Sequence, residues 1–495
     1  MNGKKLLENK IYLYITEFFS GMAVMAVELG ASRLLAPYFS SSQIVWTIII
    51  GTIMIAMALG NIYGGRKADK ENDVGKLYRR ILVAAIWLAA IPVLGKYVIL
   101  LISGLLIVSV NSNFLVVAAF LTCMLLFVYP LFLLGTVTPS LVKYTTESLE
   151  DNGKIVGTLG AANTIGSILG TFLPTFVTIP SVGTSVTFLL FSGILLVISL
   201  FYFIMTKVKK RTVFVSISLF LVCCIFGHDS SFAFWESDLV YEGESIYNYL
   251  QVKEDEENVI LSTNVLFGVQ SIKKKNEELS GLYYDYAMLA PMMANIYRRF
   301  PFETLVLGMG TGTYTMQCDR YFGKRITEGV EIDEKITDLS EKYFGYEDRE
   351  NVTTYDGRAY LNNLKGHYDV IMVDAYQDIT IPFQMSSVEF FSSIKRHLLE
   401  GGVMVVNMNM RGDKEGSINE YLADTIGSVF KEVYTVDVAG STNRELFASD
   451  NEGILKVMDE NLKLCVKEEL HDMLTEVRGR LKKYTPGDLI LTDDK

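Results

Sequence analysis

The hydrophobic and polar positions of this chain follow two patterns, which meet near residue 228. Before that residue, long apolar segments succeed one another with short polar connections between them. After it, charged residues return, and short apolar runs alternate with amphipathic stretches. Segments of about 20 apolar residues can cross a bilayer as helices, whereas short apolar runs bounded by turn residues are typical of strands. The pattern predicts a helical membrane domain followed by an α/β domain.

The membrane domain is predicted over residues 1–235, with about seven helices. The segment 81–110 is too long for one ordinary span and is interrupted by Pro92 and Gly95, so it predicts either a tilted helix or a short hairpin. A hairpin would raise the number of spans to eight. The candidate spans lie near 11–36, 43–64, 81–110, 113–136, 156–180, 184–206 and 212–227.

Lysine and arginine are concentrated in alternate connections between these spans. With seven spans, all of these connections lie on one side of the membrane, which the positive-inside rule makes cytoplasmic. The residues after the last span would then lie outside the cell, whereas a hairpin within 81–110 would place them inside. The basic groups are Lys4, Lys5 and Lys10, six residues from Arg66 to Arg80, Lys143 with Lys154, and four residues from Lys207 to Arg211.

Two features inside the predicted spans carry further information. Glu28 is an ionisable residue in an apolar segment, where it normally faces protein or water. It indicates either a site for a cationic solute or a structural acid that pairs with Arg33 or with a polar group such as Asn163. The small-residue run GTLGAANTIGSILG, at 157–170, predicts close packing of one helix against another.

The second half of the chain predicts three consecutive parts. Residues 236–290 contain short alternating strands with charged tips and predict a small antiparallel β unit. Residues 291–450 alternate strands with helices, which is typical of a doubly wound parallel sheet, and end in a pair of closing strands. Residues 451–495 alternate charges at helical spacing and predict a solvated helical tail, with a contact in a homodimer as the alternative.

Composition excludes several kinds of function. The formal net charge of −11 argues against nucleic acid as a partner and is compatible with a cationic ligand. The five cysteines have no metal-ligand spacing, so neither a metal site nor a disulfide framework is predicted. Half of the residues are hydrophobic and the mean hydropathy is +0.28, which agrees with the lipid bilayer as one partner.

Polar residues and glycines follow four successive predicted strands of the α/β part. Carboxyl ends of parallel strands meet at one edge of a sheet, where such folds bind nucleotides and use an acid after the second strand to accept hydrogen bonds from ribose. Glycines after the first strand let a ligand approach the backbone. The pattern predicts a nucleoside-binding crevice. Its residues are Gly308, Gly310 and Gly312, then Glu331, then Asp356 with Gly357, and finally Asp374.

These same stretches carry a resemblance to a known family. The order GMGTG, GVEID, YDGRAYL and YDVIMVDAY resembles spermidine synthase, and more broadly the S-adenosylmethionine-dependent methyltransferase fold. YNYLQV and the GVQ that ends at Gln270 resemble the amino-terminal strands of aminopropyltransferases. VELGASRLLAPYF and LGTVTPSLV resemble the membrane region fused to such domains in multi-pass bacterial spermidine synthase-like proteins. The resemblance implies a Rossmann-like domain behind a multi-pass membrane domain.

The resemblance also implies a co-substrate and roles for individual residues. The co-substrate would be decarboxylated S-adenosylmethionine, or S-adenosylmethionine itself, without a metal. Glu331 would bind its ribose, Asp356 its adenine amino group, and Gln270 would help to hold the nucleoside. Asp374 would border the reacting centre, where a carboxylate must take the proton of the attacking amine.

The chain departs from the family pattern where the amine would bind. Spermidine synthases have D-[ST]-[ST]-D-P after the fourth strand, with the second Asp as the base, whereas Gln377 occupies that position here. Glutamine cannot accept a proton at neutral pH. Asp378, one residue later, is therefore a second catalytic candidate beside Asp374.

The amine-holding stretch of the family, D-E-x-x-Y-x-E, reads SGLYYDYAM in this chain. Asp285 is its one acid, and Tyr284 lies beside it. We expect Tyr284, Asp285 and Gln377 to line the site of a small-molecule amine.

Three functions remain open at the level of sequence. The first is a membrane-anchored aminopropyltransferase that acts on an amine such as putrescine. The second is methyl transfer from S-adenosylmethionine, and the third is a non-catalytic membrane protein that senses nucleosides or polyamines. We expect a protein of the bacterial cell membrane whose soluble domain is cytoplasmic, because sulfonium nucleosides are made in the cytosol.

Overall fold

The computed structural model divides the chain into two compact units. The first comprises Met1–Ser237, Glu242–Leu250 and Asn264–Phe267, and the second comprises Asp238–Tyr241, Gln251–Thr263 and Gly268–Lys495. The structure describes residues 10–39, 43–70, 73–107, 114–146, 152–207, 210–228, 231–265, 269–275, 279–375, 382–408 and 415–494.

The first unit is helical, as its apolar segments predict. The helices are α1 (Lys10–Phe39), α2 (Gln43–Lys70), α3 (Val74–Ile107), α4 (Phe114–Leu126), α5 (Val128–Gly135), α6 (Val137–Thr145), α7 (Asn152–Leu173), α8 (Ile179–Met205) and α9 (Lys210–Gly227). A π-helical turn, Pro174–Thr178, joins α7 to α8.

Within the described residues, five helices are long and apolar enough to cross a membrane, or six if the pair bent by 48° at Val128 is one span. One of the five, Asn152–Met205, has 54 residues. At about 1.5 Å per residue it is far longer than the ~30 Å bilayer core, and Gly183 interrupts it with φ 80°. Counting it as two spans gives seven candidates, although the predicted number of crossings stays a prediction.

The segment 81–110 lies largely within one continuous helix. α3 runs for 34 residues and contains Pro92 without a reversal of the chain. The hairpin alternative is therefore wrong, because the α3 backbone continues past Pro92 and Gly95 as a helix to Ile107.

The small-residue run of α7 packs closely against α1, which confirms the predicted contact. A Cβ atom on Gly166 would lie 1.9 Å from the carbonyl oxygen of Phe18, and one on Gly170 would lie 2.1 Å from that of Met22. Real side-chain atoms do not approach a carbonyl oxygen so closely. Glycine at these two positions therefore allows the two helix backbones to touch.

The partners considered for Glu28 make other contacts. Asn163 donates its side-chain amide to Glu17 Oε1 at 2.8 Å, and Thr138 Oγ1 donates to the same oxygen at 2.5 Å. Arg33 donates to the carbonyl oxygen of Ile246. The fully buried acid of α1 is thus Glu17, which is 0% exposed.

Two sheets follow in the chain. The smaller has the order β1-β2-β3-β4, with β1 Leu239–Glu244, β2 Tyr249–Glu254, β3 Asn258–Ser262 and β4 Ser271–Lys274. The β2-β3 and β3-β4 pairs are antiparallel, as the sequence predicts. The larger has the order β12-β10-β11-β9-β8-β5-β6-β7.

The large sheet is parallel from β9 through β8, β5 and β6 to β7. Its remaining strands are antiparallel, and β10 and β11 form the closing pair that the sequence predicts. The strands are β5 Glu303–Leu307, β6 Ile326–Glu331, β7 Val352–Thr354, β8 Tyr368–Val373, β9 Leu398–Met408, β10 Glu432–Asp437, β11 Arg444–Ser449 and β12 Lys482–Lys483.

Helices cover both faces of this sheet. They are α10 (Tyr283–Ala287), α11 (Leu289–Met293), α12 (Thr313–Phe322), α13 (Glu334–Leu339), α14 (Gly357–Asn363), α15 (Val388–His397), α16 (Ile418–Val429), α17 (Ile454–Leu462) and α18 (Glu468–Arg480). Two buried hydrophobic clusters pack between the sheet and these helices. The fold class predicted from the sequence is confirmed.

The C-terminal residues differ from the solvated helical tail of the prediction. α17 and α18 bury Ile454, Met458, Leu470 and Leu474 in the core of the second unit, because their apolar positions repeat at helical spacing on one face. After α18, β12 joins the edge of the sheet. The contact in a homodimer stays a prediction.

The order of the parallel strands places a switch point between β5 and β8. The chain adds β6 and β7 on one side of β5, and then β8 and β9 on the other. Ligands of such folds bind outside the carboxyl ends of the strands at this point. The first and fourth predicted site segments, Gly308–Gly312 and Asp374, follow β5 and β8.

We predict that Gly166→Ala destabilises the membrane unit by about 1–3 kcal/mol or more, because the methyl group overpacks the α1–α7 contact. The matched control is Gly160→Ala in the same helix, where an added Cβ meets nothing within 4 Å. The control should leave stability unchanged or raise it by about 0.5–1 kcal/mol. Thermal unfolding of both full-length variants in one detergent measures the difference, and equal unfolding temperatures would contradict the packing account.

Candidate active site

The ends of β5 and β8 are joined by a close backbone contact. Asp374 N donates to the Leu307 carbonyl oxygen at 2.9 Å. Gly308 has φ 86°, and a Cβ atom there would lie 2.4 Å from the carbonyl oxygen of Asp374. Glycine at 308 is therefore required both by the left-handed backbone and by the approach of the two strand ends.

Glu331 holds the glycine loop in place from the end of β6. Its Oε2 accepts from Gly310 N at 2.8 Å, and its Oε1 accepts from Asp333 N at 3.1 Å. The side chain is buried, and burial raises the pKa of its carboxyl above the usual value. The carboxylate therefore orients the loop, while lone pairs of both oxygens stay available to hydroxyl groups.

Asp374 lies between two side-chain donors. Tyr283 donates its hydroxyl to Oδ2 at 2.6 Å, and Asn407 donates its amide to Oδ1 at 2.8 Å. Burial raises the pKa of Asp374 to about 7, because removal from water disfavours the ionised form. The two donors lower this pKa, and the charge of Glu331 raises it. A carboxyl with this pKa exchanges its proton near neutral pH.

The hydrogen bonds continue from Asp374 across the antiparallel part of the sheet. Asn443 donates its amide to Asn407 Oδ1 at 2.8 Å, and Ser441 donates its hydroxyl to Asn443 Oδ1 at 2.5 Å. These hydrogen bonds fix the orientation of the Asn407 amide, so that its nitrogen faces Asp374.

Two further predicted residues, Gln270 and Tyr284, lie near this centre. Gln270 directly precedes β4, and its neighbour Ser271 has its Oγ 3.4 Å from the Cβ position of Gly310. Tyr284 is buried, with its ring centroid 4.0 Å from that of Tyr283. Gln270, Tyr284 and the glycine loop are therefore near neighbours in the second unit.

Asp356 has a local structural task that the sequence reasoning missed. It is the N-cap of α14, where its Oδ1 accepts from Ala359 N at 2.8 Å, and Gly357 is the first residue of that helix. Tyr355 N donates to the Glu331 carbonyl oxygen at 3.1 Å, which places Asp356 beside the end of β6. One carboxylate oxygen remains for a ligand.

Asp285 is engaged within its own turn. Its Oδ1 accepts from Ser280 Oγ at 2.9 Å and its Oδ2 from Gly281 N at 2.6 Å, and the side chain is buried. These bonds tie it to the entry of α10, and its role towards an amine stays a prediction. Gln377 and Asp378, the other candidates of the amine site, lie outside the described residues.

Glycine at 312 is also required by the fold. Gly312 has φ 76° at the start of α12, and a Cβ atom there would lie 2.5 Å from the ring of Tyr346. Gly310 also has a positive φ, 55°, so the backbone conformation of the loop accounts for all three glycines.

Sequence reasoning missed Asn407 and Asn443. Both are polar residues within or next to a strand of the antiparallel part of the sheet. There the alternation of polar and apolar residues does not show whether a polar side chain is buried or exposed. The clearest signal was Asn407 in the apolar run GVMVVNM. Among the residues that the structure describes, no group of three His, Cys, Asp or Glu side chains could hold a metal ion.

The chain is similar to one domain family and to several known proteins. The spermine/spermidine synthase domain family matches residues 287–439. A probable polyamine aminopropyl transferase of Bifidobacterium longum is 50% identical over 313 residues, which is 60% of this chain and 69% of that protein. A polyamine aminopropyltransferase of Vibrio vulnificus is 26% identical over 227 residues, 44% of this chain and 74% of that protein. The structure of spermidine synthase from Thermotoga maritima covers 49% of this chain and 88% of its own, with 19% identity and a TM-score of 0.39.

Proposed function

Because the chain belongs to the polyamine aminopropyltransferase family, we propose that its crevice transfers an aminopropyl group from decarboxylated S-adenosylmethionine to an amine such as putrescine. The observation that carries this proposal is the placement of Asp374. It lies at the switch point, beside the glycine loop, with a pKa near 7. A base for an amine needs both this position and this pKa.

The nucleoside half of the crevice is suited to this donor. Glu331 and the remaining oxygen of Asp356 would accept hydrogen bonds from ribose and from adenine, and Gln270 would border the nucleoside. Nearby acids favour a positively charged sulfonium, because opposite charges attract strongly at a site with little water.

The donor supplies an electrophilic methylene carbon next to a sulfonium. The lone pair of a neutral amine attacks this carbon, the new C–N bond forms, and the C–S bond breaks with its electron pair on sulfur. Asp374 accepts the proton that the nitrogen must lose. Tyr283 and Asn407 hold the carboxylate in place for this step.

We predict that Glu331→Ala weakens binding of the donor at least about tenfold, because each hydrogen bond to a charged partner contributes about 1.5–3 kcal/mol. Glu331→Gln keeps an acceptor for Gly310 N and should retain part of the affinity. Calorimetry with decarboxylated S-adenosylmethionine and with S-adenosylmethionine on the full-length protein measures both. The exposed Glu334→Ala, three residues away, is the matched control. If wild type binds neither nucleoside at millimolar concentration, the crevice is assigned wrongly.

We predict that transfer to the amine rises with pH through about 7 as Asp374 ionises, and that Asp374→Asn lowers the rate about 10²–10⁴-fold. Asp378→Asn should reduce the rate less, and Gln377→Asp, which restores the acid of the family, should raise it. The assay follows alkylated amine by mass spectrometry. Full activity in both Asn variants would place the base elsewhere.

If the protein alkylates none of the amines tested, one of the other two functions is favoured. A methylated product formed from S-adenosylmethionine would indicate a methyltransferase. Binding of nucleoside or polyamine without any product, even in Gln377→Asp, would indicate a sensor.

The membrane location follows from the first unit, and the side of the soluble domain is part of our proposal. We propose that it faces the cytosol, where the donor is made. The charge distribution opposes this placement. With α3 as a single helix and seven spans, the basic connections all lie on one side of the membrane, and the last span places the residues after Gly227 on the other side.

A fluorescent-protein fusion at Lys495 should therefore be bright, and a periplasmic phosphatase fusion at the same residue should be inactive. The opposite pattern would mean that the basic connections set the orientation, and that the donor must reach the domain from outside.

A further inference from the structure

A buried acid that the mechanism above does not use lies close to Asp374. Glu445 is in β11, directly opposite Asn407 of β9. Asn407 in turn donates to Asp374, which follows β8. Three neighbouring strands thus bring an acid, an amide and an acid together.

All three side chains point to the same face of the sheet. Successive side chains of a strand alternate between the two faces, so residues two apart share a face. Met372, Val405 and Phe447 belong to one core cluster, and each lies two residues from one of the three polar residues in its own strand. Opposite side chains of an antiparallel pair have their Cβ atoms about 4.5–5.5 Å apart. Glu445 is therefore a near neighbour of Asn407 and of the site of Asp374.

The carboxylate of Glu445 has no compensating partner within the described part of the chain. The side chain is 0% exposed, and neither Oε1 nor Oε2 accepts a hydrogen bond there. A buried carboxylate without a donor or a cation is costly, and such a group calls for an explanation. Burial, and then the charge of Asp374, raise the pKa of Glu445 well above its usual value.

We propose that Glu445 binds the distal ammonium group of the acceptor, so that the site selects a diamine or a polyamine over a monoamine. The inference rests on the proposed aminopropyl transfer. A cation would supply the donor hydrogens that both oxygens lack, and would relieve the repulsion between two neighbouring acids. It also assigns the amine-holding acid to β11, since Asp285 uses both oxygens within its own turn.

Asp374 and Glu445 then have separate tasks. Asp374 lies at the strand end beside the glycine loop and takes the proton from the reacting nitrogen. Glu445 is one strand beyond β9 and holds the other, charged nitrogen. The spacing between the two acids sets the length of acceptor that fits.

The test compares 1,4-diaminobutane with 1-aminobutane as acceptors of the full-length protein in detergent. Wild type should prefer the diamine at least about 30-fold in kcat/KM, the factor expected when a buried charge pair loses one partner. Glu445→Gln should bring this ratio close to one, mainly through a higher KM for the diamine, with the affinity for the donor unchanged. Glu460→Gln, an exposed acid of α17, is the control and should keep the wild-type ratio.

Glu445→Asp provides a second variant that keeps the charge. Its carboxylate lies one methylene farther back, so we expect it to retain a preference for diamines and to shift that preference towards 1,5-diaminopentane. An unchanged diamine-to-monoamine ratio in Glu445→Gln would overturn the inference. So would a wild type that does not distinguish the two amines, a measurement that needs no variant.

Failure of the proposed function would give a different result. If wild type alkylates no amine, calorimetric titration with 1,4-diaminobutane still compares wild type with Glu445→Gln. Loss of diamine binding in the variant would support the site without transfer. Equal binding, or none in either protein, would overturn it.

Discussion

The close approach of the β5 and β8 ends is the constraint on which the second unit depends. Asp374 N bonds to Leu307 O, and only a residue without a Cβ atom fits at Gly308 beside the Asp374 carbonyl. This contact lies at the switch point between β5 and β8, where the strand order reverses. It therefore fixes the place where a ligand can bind outside the carboxyl ends of the strands. It also sets the position of the Asp374 carboxylate relative to the glycine loop. A larger residue at 308 would displace the loop and the acid together.

The site is negatively charged when its acids ionise, because several buried acids lie together with few positively charged groups near them. Glu331 is compensated by backbone amides, and Asp374 by a hydroxyl and an amide. These partners are neutral dipoles, so the site keeps an excess of negative charge when the acids ionise. A sulfonium donor and an ammonium acceptor both carry the charge that such a site attracts. The chemistry also requires one acid to take up a proton, which the raised pKa of Asp374 permits near neutral pH.

The first unit uses a different means of stabilisation. Its helices expose apolar side chains over much of their length, and α1 and α7 meet through glycines that bring the backbones into contact. Such contacts suit a lipid environment, where apolar burial alone gives helices little reason to associate. Glu17 Oε1 accepts from Thr138 of α6 and Asn163 of α7, so a polar contact joins α1 to both helices.

The sequence by itself determined the two patterns of hydrophobicity, the order of strands and helices, and the residues at four strand ends. These are local properties, since periodicity and turn residues act over a few positions. It did not determine whether 81–110 is one helix, and it did not show that α17 and α18 bury one face in the core.

The tertiary structure decided which acids already accept hydrogen bonds within the protein. Asp285 is tied to its own turn and Asp356 caps a helix, whereas Glu445 comes to lie near Asp374 only because β11 inserts between β9 and β10. Pairing between distant strands sets that neighbourhood, and no local pattern encodes it.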